Sequence, residues 1–517
     1  MRTISFPLCV IWQYKDISVL FDAKSNTILE LQSEDKQLLI DYFFNNKSRL
    51  NFQRNNLLHI LHENGILIPE GLKERCITNK EHVERNIDKE RKLSFFKKFS
   101  LEITQECNLR CKYCHYTIAR DFRKHTSKKM SIQIGKLAID FYFENAKRIY
   151  GSIGAKEFVR SIKEAEPIFL FYGGEPLLSF ETIKTLINYL RGKSWCKLGI
   201  SPSEIKLGIS TNLTILNESM LKYLIENNIF LYVSIDGPEN IHNNNRIYQN
   251  GRGSFKDVEG NICKIIKANS KYYLNNVFFM SVNSHWDDKD AKQQYFETLS
   301  LNGNLPYVNY LSLSKRGESV ADVYQKLGGV EEELETFENK MNEWLNFLKV
   351  NSFFLKDLAR KRNYLLRDLL SIINEFKDVN NAKFMSNNSN LYDSVELCKV
   401  GCDNLYVDVE GYFHICEKTD GSITLGNVKE GVTWEKVLSI KTEYLKLMNS
   451  KRCKHCINYF YCKICIASII HRGSLTMPKE IDCEYLKQLR KERVLKYVIL
   501  IRKFPEILNE IENLKVT

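Results

Sequence analysis

The chain has 517 residues and a net charge of +12, from 75 Lys and Arg against 63 Asp and Glu. This length is typical of two to four domains. Its 44% of apolar and 27% of charged residues are close to the globular average and exclude wholesale disorder. The charge is a mild basic bias without the sustained basic stripe of a nucleic-acid binder, so we expect no nucleic-acid partner.

Cysteine content and the absence of targeting signals indicate the compartment. No apolar run reaches the roughly 18 residues of a membrane helix, and Phe6–Trp12 lacks a signal-peptide cleavage pattern. We therefore expect a cytoplasmic protein without membrane contact. Structural disulfides are rare there, so the spacing of the 15 Cys indicates their role. Eleven form two groups, whereas Cys9, Cys76, Cys196 and Cys263 are isolated and typical of small buried side chains.

The first 95 residues are predicted to form a small α+β domain. Alternating apolar residues predict strands, and amphipathic spacing predicts the helices that follow. The predicted elements are strands Val10–Tyr14, Val19–Asp22 and Thr27–Leu31, then helices around Glu34–Phe44 and Leu57–Asn64. A charged stretch, Lys73–Lys92, leads to the next domain.

Residues 96–330 alternate apolar strands with helical stretches. The predicted strands are Phe99–Ile103, Ile168–Tyr172, Ile205–Ser210, Leu231–Ile235, Val277–Ser281 and Tyr307–Leu313. The predicted helices are Ile132–Ile149, Phe180–Leu190, Ser219–Asn227 and Phe255–Ala268. This alternation predicts an α/β fold with a parallel sheet covered by helices. Six such units fit a partial (β/α)6 barrel of the TIM type, whose chemistry lies at the C-terminal ends of the strands.

The remaining chain divides by composition into three parts. Residues 331–397 are predicted to be a helical connector, and residues 398–485 are dense in cysteine. Residues 486–517 are predicted to form a pair of packing helices, broken at Pro505.

Three cysteines, Cys107, Cys111 and Cys114, lie on the loop after the first barrel strand. Three neighbouring thiolates can ligate one metal centre. A [4Fe–4S] cluster needs four ligands, so one iron would stay open for chemistry. The spacing also permits a zinc site with His115 as the fourth ligand.

This Cys-x3-Cys-x2-Cys run resembles the radical S-adenosylmethionine (SAM) superfamily. Other fragments of that family follow in order, each at the end of a predicted strand: Gly173-Gly174-Glu175-Pro176, Ser210-Thr211-Asn212, and Ser234-Ile235-Asp236 with the downstream Arg246. Each fragment alone is also compatible with an ordinary turn. Their joint order favours the family resemblance, which covers about residues 99–314.

The resemblance implies a SAM site and radical chemistry. Residues 173–176 would approach the methionine amino group, and Ser210 and Asn212 the ribose. Ser234 and Arg246 would hold the carboxylate, Tyr113 would lie near the adenine, and Asp236 is expected at the same cofactor site. A forked guanidinium suits a carboxylate because it binds in bidentate fashion. In the family, the reduced cluster transfers an electron to the sulfonium, and the 5′-deoxyadenosyl radical that results abstracts a hydrogen atom.

Eight further cysteines resemble the SPASM extension of radical SAM enzymes. Eight thiols equal two clusters or two zinc sites with four ligands each. The resemblance assigns Cys398, Cys402, Cys416 and Cys465 to a first auxiliary cluster and Cys453, Cys456, Cys462 and Cys483 to a second, which makes three [4Fe–4S] clusters in all. Two spacings depart from the family: Cys462 and Cys465 are separated by two residues rather than three, and Cys398 and Cys402 are unusually close. If Cys402 is not a ligand, the first auxiliary cluster has an open iron.

The N-terminal segment resembles a PqqD-like peptide-recognition element. The likeness rests on Val19–Leu31 and the Ser33-Glu34-Asp35 that follows. It implies that the leader of a precursor peptide adds as a strand at the sheet edge. A plain packing domain or a DNA-binding winged helix are the alternatives, and Lys47, Arg49 and Arg54 give some positive charge.

Together these resemblances predict a radical SAM maturase of ribosomally made peptides that forms Cys thioether crosslinks of the sactipeptide or ranthipeptide type. A flavodoxin or ferredoxin would supply electrons. The enzymatic alternatives are an anaerobic sulfatase-maturing enzyme that forms formylglycine, and carbon–carbon crosslinking of peptides. Sulfatase-maturing enzymes generally lack the N-terminal domain, so residues 1–95 argue against that alternative. An iron–sulfur binding protein without SAM chemistry is the non-enzymatic alternative.

Overall fold

The computed structural model describes most of the barrel and of the C-terminal half. The described residues are 3–6, 9–23, 27–44, 61, 84, 87, 91, 98–117, 123–164, 169–283, 287–312, 329–351, 353–377, 400–402, 404–459, 462 and 464–514. Cys76, Cys398, Lys47, Arg49, Arg54, most of the predicted helix Leu57–Asn64 and most of Lys73–Lys92 lie outside the described residues.

The strands and helices follow the predicted order. The strands are β1 (Thr3–Phe6), β2 (Cys9–Tyr14), β3 (Ile17–Asp22), β4 (Thr27–Glu30), β5 (Lys98–Thr104), β6 (Phe169–Gly173), β7 (Leu207–Thr211), β8 (Phe230–Ser234), β9 (Val277–Asn283), β10 (Tyr307–Ser312), β11 (Asn404–Val407), β12 (Phe413–His414), β13 (Gly426–Asn427), β14 (Gly431–Val432), β15 (Ile470–His471) and β16 (Ser474–Leu475). The helices are α1 (Ser33–Phe44), α2 (Ile132–Ile153), α3 (Ala155–Glu164), α4 (Phe180–Arg191), α5 (Glu218–Glu226), α6 (Glu239–Asn245), α7 (Phe255–Ala268), α8 (Ser270–Asn276), α9 (Lys289–Thr298), α10 (Gly329–Val350), α11 (Phe354–Arg360), α12 (Tyr364–Lys377), α13 (Trp434–Met448), α14 (Lys451–Lys454), α15 (Ile466–Ile469), α16 (Glu480–Lys503) and α17 (Pro505–Asn513).

The N-terminal sheet is an antiparallel meander in the order β1-β2-β3-β4. Strands β2 and β3 are joined by a two-residue turn in which Lys15 has a positive φ of 49°. Every residue of β3 is buried, so this strand lies at the centre of a packed layer. β1 was not among the predicted strands.

The central sheet confirms the α/β prediction and extends it. Its order is β10-β9-β8-β7-β6-β5-β11-β12, and neighbouring strands from β10 to β5 are parallel. Strand β11 continues the sheet in parallel beside β5, with Leu405 opposite Phe99, and β12 closes it in antiparallel pairing. The cysteine-rich segment therefore adds two strands to the barrel sheet next to β5.

The inner face of the barrel is open along β8 and β9. On β8, Leu231 and Val233 are fully buried, whereas the alternating residues Phe230, Tyr232 and Ser234 are half-buried. The buried set on β9 includes Phe279, which packs on Tyr273 and Phe296 of the outer helices. Because successive strand residues point to opposite faces, the half-buried set faces inward. A TIM barrel fills its interior with side chains, whereas the inner face along β8 and β9 stays partly exposed. We call the space that this face borders the lumen.

A second hydrophobic core joins distant parts of the chain. Trp12, Val19 and Phe21 of the N-terminal sheet share it with side chains of α10, α12, α16 and α17. The helical block after the barrel thus covers the N-terminal sheet. The predicted break at Pro505 is confirmed, and the helix before it begins earlier than predicted, at Glu480.

Among the described residues, no helix combines the length and the apolarity that crossing a membrane requires.

Candidate active site at the carboxyl ends of the barrel strands

The loop with Cys107, Cys111 and Cys114 follows β5 and is held in place by backbone hydrogen bonds. Backbone N–H groups of Arg110 and Lys112 donate to the carbonyl oxygens of Ile247 and Asn245, at 2.7 and 3.0 Å. These contacts hold the loop against the segment that follows α6, over the carboxyl ends of the strands.

The three thiols lie close enough to influence one another. Burial raises the pKa of the Cys111 thiol to about 12, and the neighbouring Cys114 acts in the same direction. Burial likewise raises the pKa of Cys107, with contributions from Glu175, Cys111 and Cys114. The described residues hold no group of three His, Cys, Asp or Glu side chains that converges on a single metal ion. A [4Fe–4S] cluster binds each cysteine at a different iron, so its ligands need not converge on one point.

Several of these cysteines share a hydrogen-bond pattern that fits an iron–sulfur cluster. The sulfur accepts a backbone N–H from the residue two positions later in the pairs Cys107 and Leu109, Cys416 and Lys418, Cys456 and Asn458, and Cys462 and Ile464. In the first three pairs the N···S distance is 3.4 Å. Hydrogen bonds to cluster sulfurs help to set the reduction potential, so the donor set suits such a cofactor.

Gly173 and Gly174 are required by a close approach of two loops. A Cβ atom at Gly173 would lie 2.2 Å from the carbonyl oxygen of Thr104, and one at Gly174 would lie 2.2 Å from that of Glu106. Gly173 also has a φ of +141°, which side chains with a Cβ rarely adopt. Hydrogen bonds from Gly174 and Glu175 N–H to the same two carbonyls complete the contact. The glycines thus place the end of β6 against the cysteine loop.

Glu175 ties β6 to β7 from a fully buried position. Its carboxylate accepts the Thr211 hydroxyl at 2.7 Å, the Asn212 N–H at 2.7 Å and the Leu177 N–H at 3.0 Å. Burial raises the pKa of Glu175 to about 7, against the lowering effect of these hydrogen bonds. The side chain of Glu175 therefore organises the rim. Pro176 begins the short 3₁₀ turn that follows.

Asp236, Arg246 and Tyr113 form a buried group at the end of β8. Nε and Nη2 of Arg246 donate to the two carboxylate oxygens of Asp236 at 2.9 and 3.1 Å. The Tyr113 hydroxyl donates to Asp236 at 2.6 Å. Burial acts to raise the pKa of Asp236, but Arg246 outweighs it and holds the pKa low. Arg246, expected at the SAM carboxylate, is thus engaged by Asp236, and Tyr113 links the cysteine loop to β8.

The other predicted SAM contacts also lie at this rim. The inward-facing side chains of Ser210 and Ser234 are half-buried. The Asn212 amide donates to Asn108 Oδ1 at 2.9 Å and approaches Cys107 Sγ at 3.8 Å. The structure therefore brings the predicted residues of β5 to β8 to one end of the lumen.

In the cysteine-rich segment, Cys453, Cys456 and Cys483 lie near enough to Cys462 to act on the pKa of its thiol. Burial raises the pKa of Cys462 to about 12, with contributions from the other three thiols, and Cys483 responds to Cys453 and Cys456. Among the remaining predicted ligands, Cys402 is buried, Cys416 half-buried and Cys465 exposed.

Sequence reasoning missed a buried polar group on the other side of the lumen. It consists of Glu102 on β5, Tyr406 on β11, and Tyr116 and Arg123 from the segment after Cys114; we call these four residues the closed wall. The Tyr116 hydroxyl donates to Glu102, its oxygen lies 3.0 Å from the Tyr406 hydroxyl oxygen, and Arg123 lies over the Tyr406 ring at 4.7 Å. One signal was available, because Glu102 is a charged residue between Leu101 and Ile103 in a buried strand.

The sequence profile of the Radical SAM superfamily matches residues 101–293. This range contains the cysteine loop, the glycine pair and the Asp236–Arg246 pair. The chain contains a radical SAM domain. A radical SAM domain implies SAM and a [4Fe–4S] cluster as cofactors.

Two curated relatives share about this region. A cysteine-type anaerobic sulfatase-maturating enzyme of Clostridium novyi (strain NT) is 28% identical over 199 residues, which are 38% of this chain and 48% of the relative. The radical SAM cyclopropyl synthase TigE of Paramaledivibacter caminithermalis (strain DSM 15212 / CIP 107654 / DViRD3) is 26% identical over 248 residues, 47% of this chain and 48% of the relative. The chain thus spans about half the length of the curated relatives it matches.

A solved structure, native anSMEcpe with bound AdoMet and Cp18Cys peptide, has a similar fold. It aligns with a TM-score of 0.50 at 19% identity and covers 81% of this chain and 99% of that chain. This similarity supports the fold described above.

Proposed function

We propose that the protein is a radical SAM peptide maturase that forms thioether crosslinks between a Cys sulfur and a carbon of another residue. The observation that carries the proposal is the cysteine loop of a radical SAM domain placed over an open lumen. When bound, the cluster and SAM supply a 5′-deoxyadenosyl radical that abstracts hydrogen. The protein's own residues position these groups and the peptide.

The site residues have distinct proposed roles. Cys107, Cys111 and Cys114 hold the cluster that binds SAM. Among the SAM contacts, Ser210 and Ser234 face the lumen directly, while residues 173–176, Asn212, Asp236, Arg246 and Tyr113 shape the rim around it. The buried carboxylate of Glu175 fixes the end of β7 through Thr211 and Asn212. These contacts keep the rim rigid, as orientation of a reactive intermediate requires.

A peptide substrate is supported by two features. The cysteine-type sulfatase-maturating relative and the solved structure with a bound peptide are both associated with polypeptide substrates by name. In this chain, β4 pairs with β3 alone among the described residues and is half-buried. A sheet edge of this kind can accept a further strand from a leader peptide, which is the proposed role of the N-terminal sheet.

Auxiliary clusters complete the proposal. Cys453, Cys456, Cys462 and Cys483 are the proposed ligands of one, since their thiols lie together. Cys398, Cys402, Cys416 and Cys465 are the proposed ligands of the other. A small electron-transfer protein of the flavodoxin or ferredoxin type would reduce the enzyme. Separate domains at 1–95, 96–330, 331–397, 398–485 and 486–517 remain a proposal.

Formylglycine formation in a sulfatase is the second candidate. It is favoured by the sulfatase-maturating relative, which matches the chain over 199 residues. The N-terminal sheet and its helical cover, absent from the sequence pattern of that class, favour the thioether proposal.

The decisive experiment combines two assays on anaerobically purified protein. Reduced enzyme is incubated with SAM, and 5′-deoxyadenosine is measured for the wild type and for Cys111→Ala, with Cys196→Ala as a control for an exposed cysteine outside both groups. The neighbourhood of the gene is then searched for a short cysteine-rich reading frame, and its peptide is co-expressed with the enzyme and examined by mass spectrometry.

We expect 5′-deoxyadenosine from the wild type and from Cys196→Ala, and none from Cys111→Ala. The peptide should lose two hydrogen atoms per crosslink and carry Cys that resist alkylation. Exchange of a Cys sulfur for an aldehyde oxygen would establish the second candidate instead. Absence of 5′-deoxyadenosine from iron-loaded wild type would contradict both candidates.

A further inference from the structure

Among the residues that the structure describes, no carboxylate forms an ion pair with the buried guanidinium of Arg123. Arg123 is 4% exposed. Among the described residues, its hydrogen bond goes to the backbone carbonyl oxygen of Glu417, and its guanidinium lies over the rings of Tyr406 and Tyr116 at 4.7 and 5.7 Å. A buried charge is costly unless its surroundings compensate it, so a charge in this position needs an explanation.

The surroundings of Arg123 are built to keep its charge. The negative ring faces of two tyrosines attract a cation, and the carboxylate of Glu102 lies beyond them. Burial acts to lower the pKa of Arg123, but Tyr406, Tyr116, Glu102 and Tyr172 outweigh it and raise the pKa. Glu102 is itself held in place by the Tyr116 hydroxyl and by the Val409 N–H at 3.1 Å.

Residues of the closed wall lie next to the loop that carries Cys114 and contact the loop that carries Cys416. Tyr116 lies two residues after Cys114, and the carbonyl that Arg123 contacts belongs to the residue after Cys416. The ring of Tyr172 packs edge-on against Tyr406 at 6.0 Å, and its pKa, raised by burial, also responds to Cys114 and Cys416. The guanidinium of Arg123 therefore lies between the loops that carry Cys114 and Cys416.

We propose that Arg123 is a positioning residue that raises the reduction potential of the iron–sulfur centres flanking the closed wall. This inference rests on the proposed function, which places such centres at Cys107, Cys111 and Cys114 and at Cys416. Thiolate-bound clusters are anionic, and a further electron adds negative charge. A fixed positive charge in a buried site stabilises the reduced form because the surroundings screen it weakly.

Glu102 tests whether the sign of the charge in the closed wall sets the direction of the change in reduction potential. Its carboxylate lies in the same wall and opposes the effect of Arg123. Arg123→Gln removes the positive charge, Arg123→Lys retains it without the fork, and Glu102→Gln removes the negative charge with little change of shape. Arg191→Gln is the matched control, since Arg191 lies on the outer helix α4 and donates to the Asn227 carbonyl at 3.0 Å.

The experiment is a redox titration of each iron-loaded full-length variant with dithionite as one-electron reductant, followed by electron paramagnetic resonance. The centre whose signal changes on addition of SAM is distinguished from the others. Iron content is measured for every sample.

In Arg123→Gln we expect the redox equilibrium of the iron–sulfur centre to shift about tenfold towards the oxidised form. This shift lowers the reduction potential by about 59 mV for a one-electron couple. Glu102→Gln should raise the reduction potential. Arg123→Lys and Arg191→Gln should have reduction potentials near that of the wild type. If Arg123→Gln fails to load iron, Glu102→Gln still tests the direction in which a charge in the closed wall changes the reduction potential.

Unchanged potentials in iron-loaded Arg123→Gln or in Glu102→Gln, or an equal shift in Arg123→Lys and Arg123→Gln, would overturn the inference while leaving SAM cleavage intact. Wild-type protein that binds no iron or yields no 5′-deoxyadenosine would instead overturn the proposed function.

Discussion

Two walls of one lumen differ in how they are built. The closed wall is polar and fully packed: Glu102 and Tyr406 have no exposed surface. The open wall comprises Tyr232 and Ser234 of β8 with Phe278 and Met280 of β9, all half-buried, and the rings of Tyr232 and Phe278 stack at 5.3 Å. Both walls face inward on the same sheet.

The difference in packing and exposure indicates a different role for each wall. A side chain that is fully packed and hydrogen-bonded cannot make room for a ligand without a large cost. The closed wall therefore joins the cysteine-rich strands to the barrel, as the pairing of β11 with β5 also does. The open wall retains accessible aromatic and polar surface, which is typical of ligand pockets.

The largest effect should come from truncating the same residue type on each wall. Tyr406→Ala removes a fully buried ring and should lower the free energy of unfolding by about 3–5 kcal/mol. Tyr232→Ala removes a half-buried ring and should cost about 1 kcal/mol. Denaturant unfolding of both variants measures the difference. Equal costs would contradict the distinction between the walls.

A pH-dependent effect should appear at Glu175, which joins the strands between the walls. Folding raises the pKa of Glu175 from 4.5 to about 7 through burial. Between these values the folded protein binds more protons than the unfolded chain, so its stability falls as pH rises, by up to about 3 kcal/mol in total. In Glu175→Gln this contribution is absent. Unfolding of wild type and variant at pH 5 and pH 8 measures it, and parallel pH profiles would refute the assignment.

A smaller effect is expected at Met280 on the open wall. Met280→Ala should leave the unfolding midpoint nearly unchanged because the side chain is half-buried. If the lumen takes substrate, the KM for the peptide should rise about fivefold, which corresponds to roughly 1 kcal/mol. Steady-state kinetics measure the KM. A large loss of stability with an unchanged KM would place Met280 in the packed core instead.

The smallest effect is expected outside both walls. Lys128 and Glu410 form an ion pair at 2.8 Å between the barrel and the cysteine-rich segment, with both side chains 57% exposed. Exposed pairs contribute little because water and salt screen them. Lys128→Ala should therefore leave the thermal midpoint unchanged at physiological salt. A clear drop would show that surface contacts, and not the closed wall, hold the segment in place.

Much of the barrel could be predicted because its signal is local. The six parallel strands begin and end within two residues of the predicted positions, since apolar strands and amphipathic helices alternate clearly. Strands β11 and β12 were missed: they are short, and their pairing partner β5 lies about three hundred residues earlier. Such pairing leaves no local pattern in the sequence.

The positions of the motif residues could be predicted because the strands that precede them have a clear local signal. The motif residues meet at one rim because each follows a strand of a parallel sheet. The close approach of Gly174 to Glu106 and the engagement of Arg246 by Asp236 depend on contacts between loops. The closed wall combines Tyr116 and Arg123 with the distant Tyr406, so only the charge of Glu102 between two apolar residues of a buried strand indicated it.

The shared core of the N-terminal sheet has a consequence for synthesis on the ribosome. Trp12 and Phe21 share this core with Leu334 and Phe376, and with Leu495 and Ile499, which emerge hundreds of residues later. The first strands must remain uncovered while the whole barrel is translated and folds. Such long-range contacts slow folding and leave apolar surface open to aggregation in the interval. A nascent chain halted before α16 should therefore engage chaperones through the strands that carry Trp12 and Phe21.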